Sequence, residues 1–175
     1  MPNEPSHSGS FEELAMPLLT SLYNFAQWLA QNRDEAEDLV QETYMKALKG
    51  FGSFQQGTNF RAWMFRILRN TFLTSRSGLR QSMPLEEEDE ALPPVADTPE
   101  SLLLARVDHE LIQSALEKLP AHHREVILLC DVEEMSYQEI AETLSVPIGT
   151  VMSRLSRARK SMRELLAAKV QGASL

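Results

Sequence analysis

SYQEIAETLSVPIGTVMSRLSRARK, residues 136–160, is the stretch whose reading decides the fold. Ser136 followed by Glu139 has the form of a capping box and opens a short helix, SYQEIAETL. Ser145-Val146-Pro147 interrupts it, with Pro147 suited to a first helical turn, and a longer basic helix follows. A short helix, a tight turn and a basic helix make the helix-turn-helix pattern, although packed helix pairs without DNA affinity share it. At about 100° per residue, Val151, Leu155, Ala158, Met162, Leu165 and Leu166 fall on one side of the second helix. Ser153, Ser156, Arg157 and Lys160 lie broadly opposite, with Met152 and Arg163 at one edge and Arg154 near the other. Small and cationic side chains opposite an apolar stripe are what a recognition helix presents to base edges and phosphates. Compensation of a helix C-terminus does not account for Arg154 and Arg157, which come early in the helix.

Outward from this segment, the 175-residue chain is rich in Leu, Ala, Glu and Arg and lacks β-branched runs, which predicts an all-α protein. Its formal net charge of −8 conceals two basic blocks. Residues 51–80 carry five basic and no acidic side chains, and residues 151–175 carry six basic and one acidic. Between them, residues 81–100 carry seven acids and no base, together with four prolines from position 84 to 99. That segment reads as a flexible acidic linker joining two small helical domains. The single cysteine, Cys130, excludes an internal disulfide and reads as a core residue, and His7, His109, His122 and His123 lack metal-ligand spacing with it. Nothing resembles a leader or a membrane span, so a cytoplasmic protein without cofactors is expected.

In the N-terminal half, Ser10 and Glu13 form another capping box, opening an apolar-periodic stretch through Leu29. Asn32 with Glu35 opens a helix running to about Leu48. Its apolar side holds Ala36, Leu39, Val40, Thr43, Tyr44 and Ala47, and Asp38, Gln41 and Glu42 stand opposite. The loop GFGSFQQGTN (50–59) precedes a helix from about Phe60 to Ser77. Trp63, Met64, Ile67 and Leu68 are expected in its buried stripe, whereas Arg66, Arg69, Arg76 and Arg80 fall within about 80° of one another on the other side. Cations beside Phe51, Phe54, Phe60, Trp63 and Phe65 suit a single nucleic-acid strand, though rings so placed equally serve a core.

AEDLVQETYMKAL, then FRAWMFRI, the acidic linker, LPAHHREV, SYQEIAETL and PIGTVMSRLSRAR together resemble the extracytoplasmic-function (ECF) sigma factors. These small sigma-70-type initiation factors of bacterial RNA polymerase have only the domains called region 2 and region 4. The resemblance covers about residues 10–168, and DLVQETYMKA, QGTNFRAW and PIGTVMSRL look most like the thiol-oxidative-stress branch. It implies a disordered N-terminus over 1–9, region 2 over 10–77, the linker over 78–100, region 4 over 101–170 and a tail over 171–175. Asp38, Gln41 and Glu42 then match the grip on the β′ clamp helices of core polymerase, whose β flap is a further expected contact. Phe51, Phe54, Asn59, Phe60, Arg66, Arg69 and Asn70 match the reader of the −10 element, where a base is flipped into a pocket. Thr150, Met152, Ser153, Arg154, Ser156, Arg157 and Lys160 match the reader of the −35 element. Thr74 departs from the acid many relatives carry, and Met152 and Ser156 stand where others carry Arg, His or an aromatic.

The resemblance also implies an anti-sigma factor, zinc-binding in the thiol-responsive branch, that wedges between the domains. The acidic run 86–90 then either occupies a basic polymerase channel or acts as a spacer. A stand-alone helix-turn-helix regulator would be expected to dimerise on a palindrome, and no dimerisation heptads are present. A nuclease using residues 86–90 would need pre-organised carboxylates and a general base, which a Pro-flanked linker does not offer. No catalysis of its own is expected.

Overall fold

The computed structural model describes residues 9–77 and 109–172, and every regular element among them is helical. Between the helix ending at Ser77 and the one beginning at His109 the chain divides into two compact units. Residues 1–8, 78–108 and 173–175 lie outside the described residues, and with them the linker, the 86–90 acids, His7 and Arg80.

In the first unit, Ser10 and Glu13 form the expected capping box, with Glu13 N–H donating to Ser10 Oγ and Ser10 N–H to Glu13 Oε2. The helix they open, α1, covers only Phe11–Ala15. Pro17 explains why one continuous helix to Leu29 is not formed: it has no N–H to donate and its ring crowds the preceding turn. The chain passes through a 3₁₀ turn, Met16–Leu18, into α2, Leu19–Ala30. Gln31 closes α2 in the left-handed region (φ 53°), its N–H donating to Gln27 O at 2.8 Å. Asn32 then caps α3, Arg33–Gly50, by accepting from Glu35 N–H at 3.1 Å. A two-residue connection thus folds α3 back on α2. After a 3₁₀ turn at Phe51–Ser53, α4 spans Phe60–Ser77 as expected.

Leu22, Phe25 and Ala26 of α2 meet Ala36, Leu39, Val40, Thr43 and Ala47 of α3 and Ala62, Met64, Phe65 and Leu68 of α4 in one core. Phe25 and Phe65 pack with ring centroids 5.4 Å apart. The buried face of α3 is the one predicted, with Tyr44 half-buried and its hydroxyl donating to Ala15 O at 2.6 Å. Desolvation there raises the Tyr44 pKa. On α4 the stripe is rotated from the predicted one. Phe65 takes the core position, whereas Trp63 and Ile67 are only half-buried.

The second unit contains α5 (His109–Lys118), α6 (Ala121–Ile127), a π-helical turn (Leu128–Val132), α7 (Tyr137–Leu144) and α8 (Ile148–Gly172). Ser136 and Glu139 form the second capping box, at 3.2 and 2.7 Å. Ser145 ends α7 in the left-handed region (φ 56°), and Pro147 O accepts from the N–H groups of Thr150 and Val151. Helix, three-residue turn and long helix therefore follow the sequence reading. Both α5 and α6 pack on α8, which buries Val151, Leu155, Ala158, Met162 and Leu166.

Arg124 secures the α5–α6 corner. Its Nε donates to Leu116 O at 2.8 Å, and Nη2 donates to Glu117 O and Leu119 O at 2.9 and 3.1 Å. A cation on the open carbonyls of a helix C-terminus satisfies acceptors that have no intrahelical partner and complements the dipole. Burial lowers its pKa, opposed by Glu117 and Glu125, yet an arginine stays charged. Replacing it removes three charge-assisted bonds at once. Arg124→Ala is expected to cost about 2–4 kcal/mol in urea unfolding followed by circular dichroism. Arg124→Lys should recover little, because an ammonium lacks the planar fork that spans several carbonyls.

Candidate nucleic-acid and polymerase interfaces

Asp38, Gln41 and Glu42 are all exposed on α3, opposite its buried face. Glu42 pairs with Lys46 at 3.1 Å, a solvent-exposed bridge of small energetic consequence. Asp38 and Glu42 border a shallow groove with Phe72, Ser75 and Arg76 of α4, and Gln41 borders another with Leu19, Thr20 and Tyr23 of α2. The exposed surface continues past Gln41 to Met45 and Leu48, 59% and 60% exposed. Their spacing of three and four residues sets them along one side of the helix. Sequence reading passed over both. An acidic, amide-bearing patch running into an apolar one suits a surface that carries basic groups beside apolar ones.

The 51–59 loop is built rather than loose. Ser53 Oγ donates to Gly50 O at 2.7 Å and Thr58 Oγ1 to Gln55 O at 2.6 Å, and Gly57 supplies a positive φ of 86°. Asn59 caps α4 by accepting from Ala62 N–H at 3.0 Å, so its carbonyl oxygen has a structural duty. Phe51, Phe54, Phe60 and Trp63 pack against one another, with centroids 5.0 to 6.2 Å apart. All four are half-buried. They form a satellite cluster at the edge of the unit, which corrects the placement of Trp63 in the main core. Phe11 of α1 joins this cluster, a contact between positions 40 or more residues apart that periodicity cannot reveal.

The cations of α4 differ in their surroundings. Arg66 and Asn70 are exposed, and Arg69 is half-buried. Arg76, expected in the same strip, donates to Glu35 at 2.9 Å and lies over the Phe72 ring at 5.2 Å. Both partners of this pair are solvent-exposed, like those of the Glu42–Lys46 bridge, so the pair directs the side chain and leaves its charge in water.

On α8, Lys160 is exposed and Thr150, Met152, Arg154, Ser156 and Arg157 are half-buried. Ser153 departs from the helical-wheel expectation. It is 3% exposed and its hydroxyl donates to Thr150 O at 3.1 Å. A serine can turn its only side-chain donor back onto its own helix. Arg159 is held apart from the outward cations by Asp131, 2.9 Å away. Burial works against its charge, but the hydrogen bond and charge of Asp131 outweigh this and raise its pKa. Ile148, 45% exposed at the first residue of α8, sets an exposed apolar side chain beside the turn that sequence reading missed. Its place in PIGT, at the mouth of the helix, was the available signal.

The arrangement of both units has known counterparts. Family models for "Sigma-70 region 2" and "Sigma-70, region 4" match residues 14–81 and 109–162. The ECF sigma factor EcfG of Rhodopseudomonas palustris is 38% identical over 90% of this chain and 85% of its own length. The chain belongs to the ECF sigma factors. SigE of Mycolicibacterium smegmatis, another ECF RNA polymerase sigma factor, is 37% identical over 90% of this chain, which spans 62% of that protein's length. Among solved structures, the sigma factor RpoE of Bartonella quintana, in complex with the anti-sigma factor NepR, matches with 36% identity. Its TM-score is 0.68 over 90% of this chain and 96% of that one. CnrH, solved with the cytosolic domain of CnrY, matches at 29% identity and a TM-score of 0.65, over 90% and 88% of the two chains. ECF sigma factors as a family are DNA-binding initiation factors rather than enzymes, and membership among them decides against a stand-alone regulator. Among the described residues, no helix is long and apolar enough to cross a membrane.

Proposed function

We propose that this ECF sigma factor directs core RNA polymerase to promoters by a division of labour between its two units. Asp38, Gln41 and Glu42 grip the β′ clamp helices, an acidic and hydrogen-bonding face suited to a basic coiled coil. The 51–59 loop and α4 take up the −10 element, with Asn70 and Arg66 facing the strand. Thr150, Met152, Arg154, Ser156, Arg157 and Lys160 read the −35 element in the major groove, while the Ser153 hydroxyl holds the helix. The observation that carries this reading is the pair of outward polar surfaces, each lying opposite a packed apolar face on its own helix. Action on chromosomal promoters puts the chain in the cytoplasm. Its net charge of −8 supports weak DNA binding by the free chain, with polymerase supplying the second attachment.

The test is run-off transcription with bacterial core polymerase on a library of duplex promoters. Start sites that require the protein and share two motifs at fixed spacing are expected. A protein that shifts duplex DNA alone as a dimer, and yields no transcripts, would overturn the reading. Asp38→Ala with Gln41→Ala should lower affinity for core at least tenfold and leave the helical circular dichroism unchanged. Loss of helix in that variant would instead assign both residues to the fold. Arg157→Ala should cost about 1–3 kcal/mol on −35-bearing templates. Arg159→Ala, by contrast, should reduce thermal stability through loss of the Asp131 pair.

The proposal extends to regulation. The sigma factor RpoE of Bartonella quintana is solved in complex with an anti-sigma factor, which supports a partner of that class for this chain. The strings DLVQETYMKA, QGTNFRAW and PIGTVMSRL support the branch in which that partner binds zinc and responds to thiol oxidation. Chelation or mild thiol oxidation should then release active sigma from the co-purified complex. Release that is unaffected by either treatment assigns the chain to another branch.

A further inference from the structure

A five-residue helix is too short to be stable by itself, so α1 owes its order to what it docks against. Both of its ends are tied. The Ser10–Glu13 capping box fixes the start, and the Tyr44 hydroxyl holds the carbonyl of fully buried Ala15. Between these ties stands Phe11. Its ring meets Phe51 edge-on at 5.4 Å and 69°, Phe60 at 6.2 Å and 78°, and Tyr44 at 6.3 Å and 80°.

Phe51 and Phe60 are the residues on either side of the loop's turn, so Phe11 touches both of its ends at once. Between them, Gly52, Ser53 and Gln55–Thr58 are exposed, and the bonds that the Ser53 and Thr58 hydroxyls donate reach only three residues away. Local bonds of that kind shape a turn without fixing its direction. The rings supply the direction, and Phe11 ties them to a segment some 40 residues earlier in the chain.

We infer that Phe11 is a positioning residue: from α1 it wedges both ends of the 51–59 loop and fixes the shape in which that loop meets an unpaired base. The inference rests on the proposed reading of the loop as the −10 recogniser. Edge-to-face pairs of this geometry favour one ring arrangement over its neighbours, and a flipped base requires a pocket already in place. Removing the Phe11 ring leaves Phe51 and Phe60 packed only on Phe54, Trp63 and each other, all within the loop and the start of α4, and so releases their tie to α1.

The experiment uses the full chain with core polymerase. Output is measured on a duplex promoter and on single-base variants in its −10 and −35 elements. Phe11→Ala should compress the −10 discrimination ratio by roughly three- to tenfold, and the −35 ratio should stay as it was. Phe11→Tyr, which keeps the ring, should restore the −10 ratio, and Phe11→Leu, which keeps apolar volume without the ring, should not. Leu substitution also serves if the alanine variant fails to fold. A fall in output that leaves both ratios intact would show that Phe11 only supports folding, and would overturn the inference. Gln56→Ala on the exposed loop separates the two ideas. If neither it nor Phe11→Ala moves −10 preference while −35 preference remains measurable, the loop reading falls and this inference with it. If Gln56→Ala moves −10 preference and Phe11→Ala does not, the inference alone falls.

Discussion

A helix in a unit of about 70 residues can bury only one side, because so small a core has no second layer to cover the other. That constraint organises this molecule. Helix α3 packs Ala36, Leu39, Val40, Thr43 and Ala47 inward, which leaves Asp38, Gln41 and Glu42 in water. Helix α8 buries Val151, Leu155, Ala158, Met162 and Leu166, and Lys160 then points outward. The apolar stripe does not merely stabilise each helix. It fixes the rotation of the helix about its own axis, and so decides which polar residues a partner can meet.

The same rule explains what was legible in the sequence. Capping boxes at Ser10 and Ser136, the Asn32 cap and the limits of α4 are set by neighbours within four residues, and each is found where it was expected. Errors arose where a distant contact overrode the local pattern. Phe65, not Trp63, enters the core because Phe25 lies across from it, and Trp63 joins Phe54 and Phe60 at the rim. Phe11 is invisible to periodicity because its partners at 51 and 60 are brought near only by the fold. Pro17 is the exception: a local signal against a continuous helix that the apolar spacing on either side obscured.

Counting cations along the chain overstates the charge available to nucleic acid. Arg76, Arg124 and Arg159 are engaged within the units, by Glu35, by three carbonyls of the α5 end and by Asp131. These assignments follow from guanidinium geometry, since a planar fork reaches several acceptors at once and is readily drawn into structure. Arg159 makes its Asp131 pair from within the basic helix itself, so a place in that helix does not by itself make a cation part of the outward surface. The basic blocks at 51–80 and 151–175 are mixtures of fasteners and outward-facing charge.

With part of that charge held internally and a net −8 overall, the chain as a whole lacks the positive charge on which unaided binding to the DNA backbone rests. Weakness of each surface is useful in an initiation factor. A single tight DNA-binding domain would capture the chain on any resembling half-site. Two weak surfaces, brought together on polymerase, multiply their affinities only where both elements occur at the spacing the complex can span. Specificity then resides in coincidence. Arg124 and Arg159 serve that coincidence too, because a cation committed to carbonyls or to Asp131 adds less to the background against which it is read.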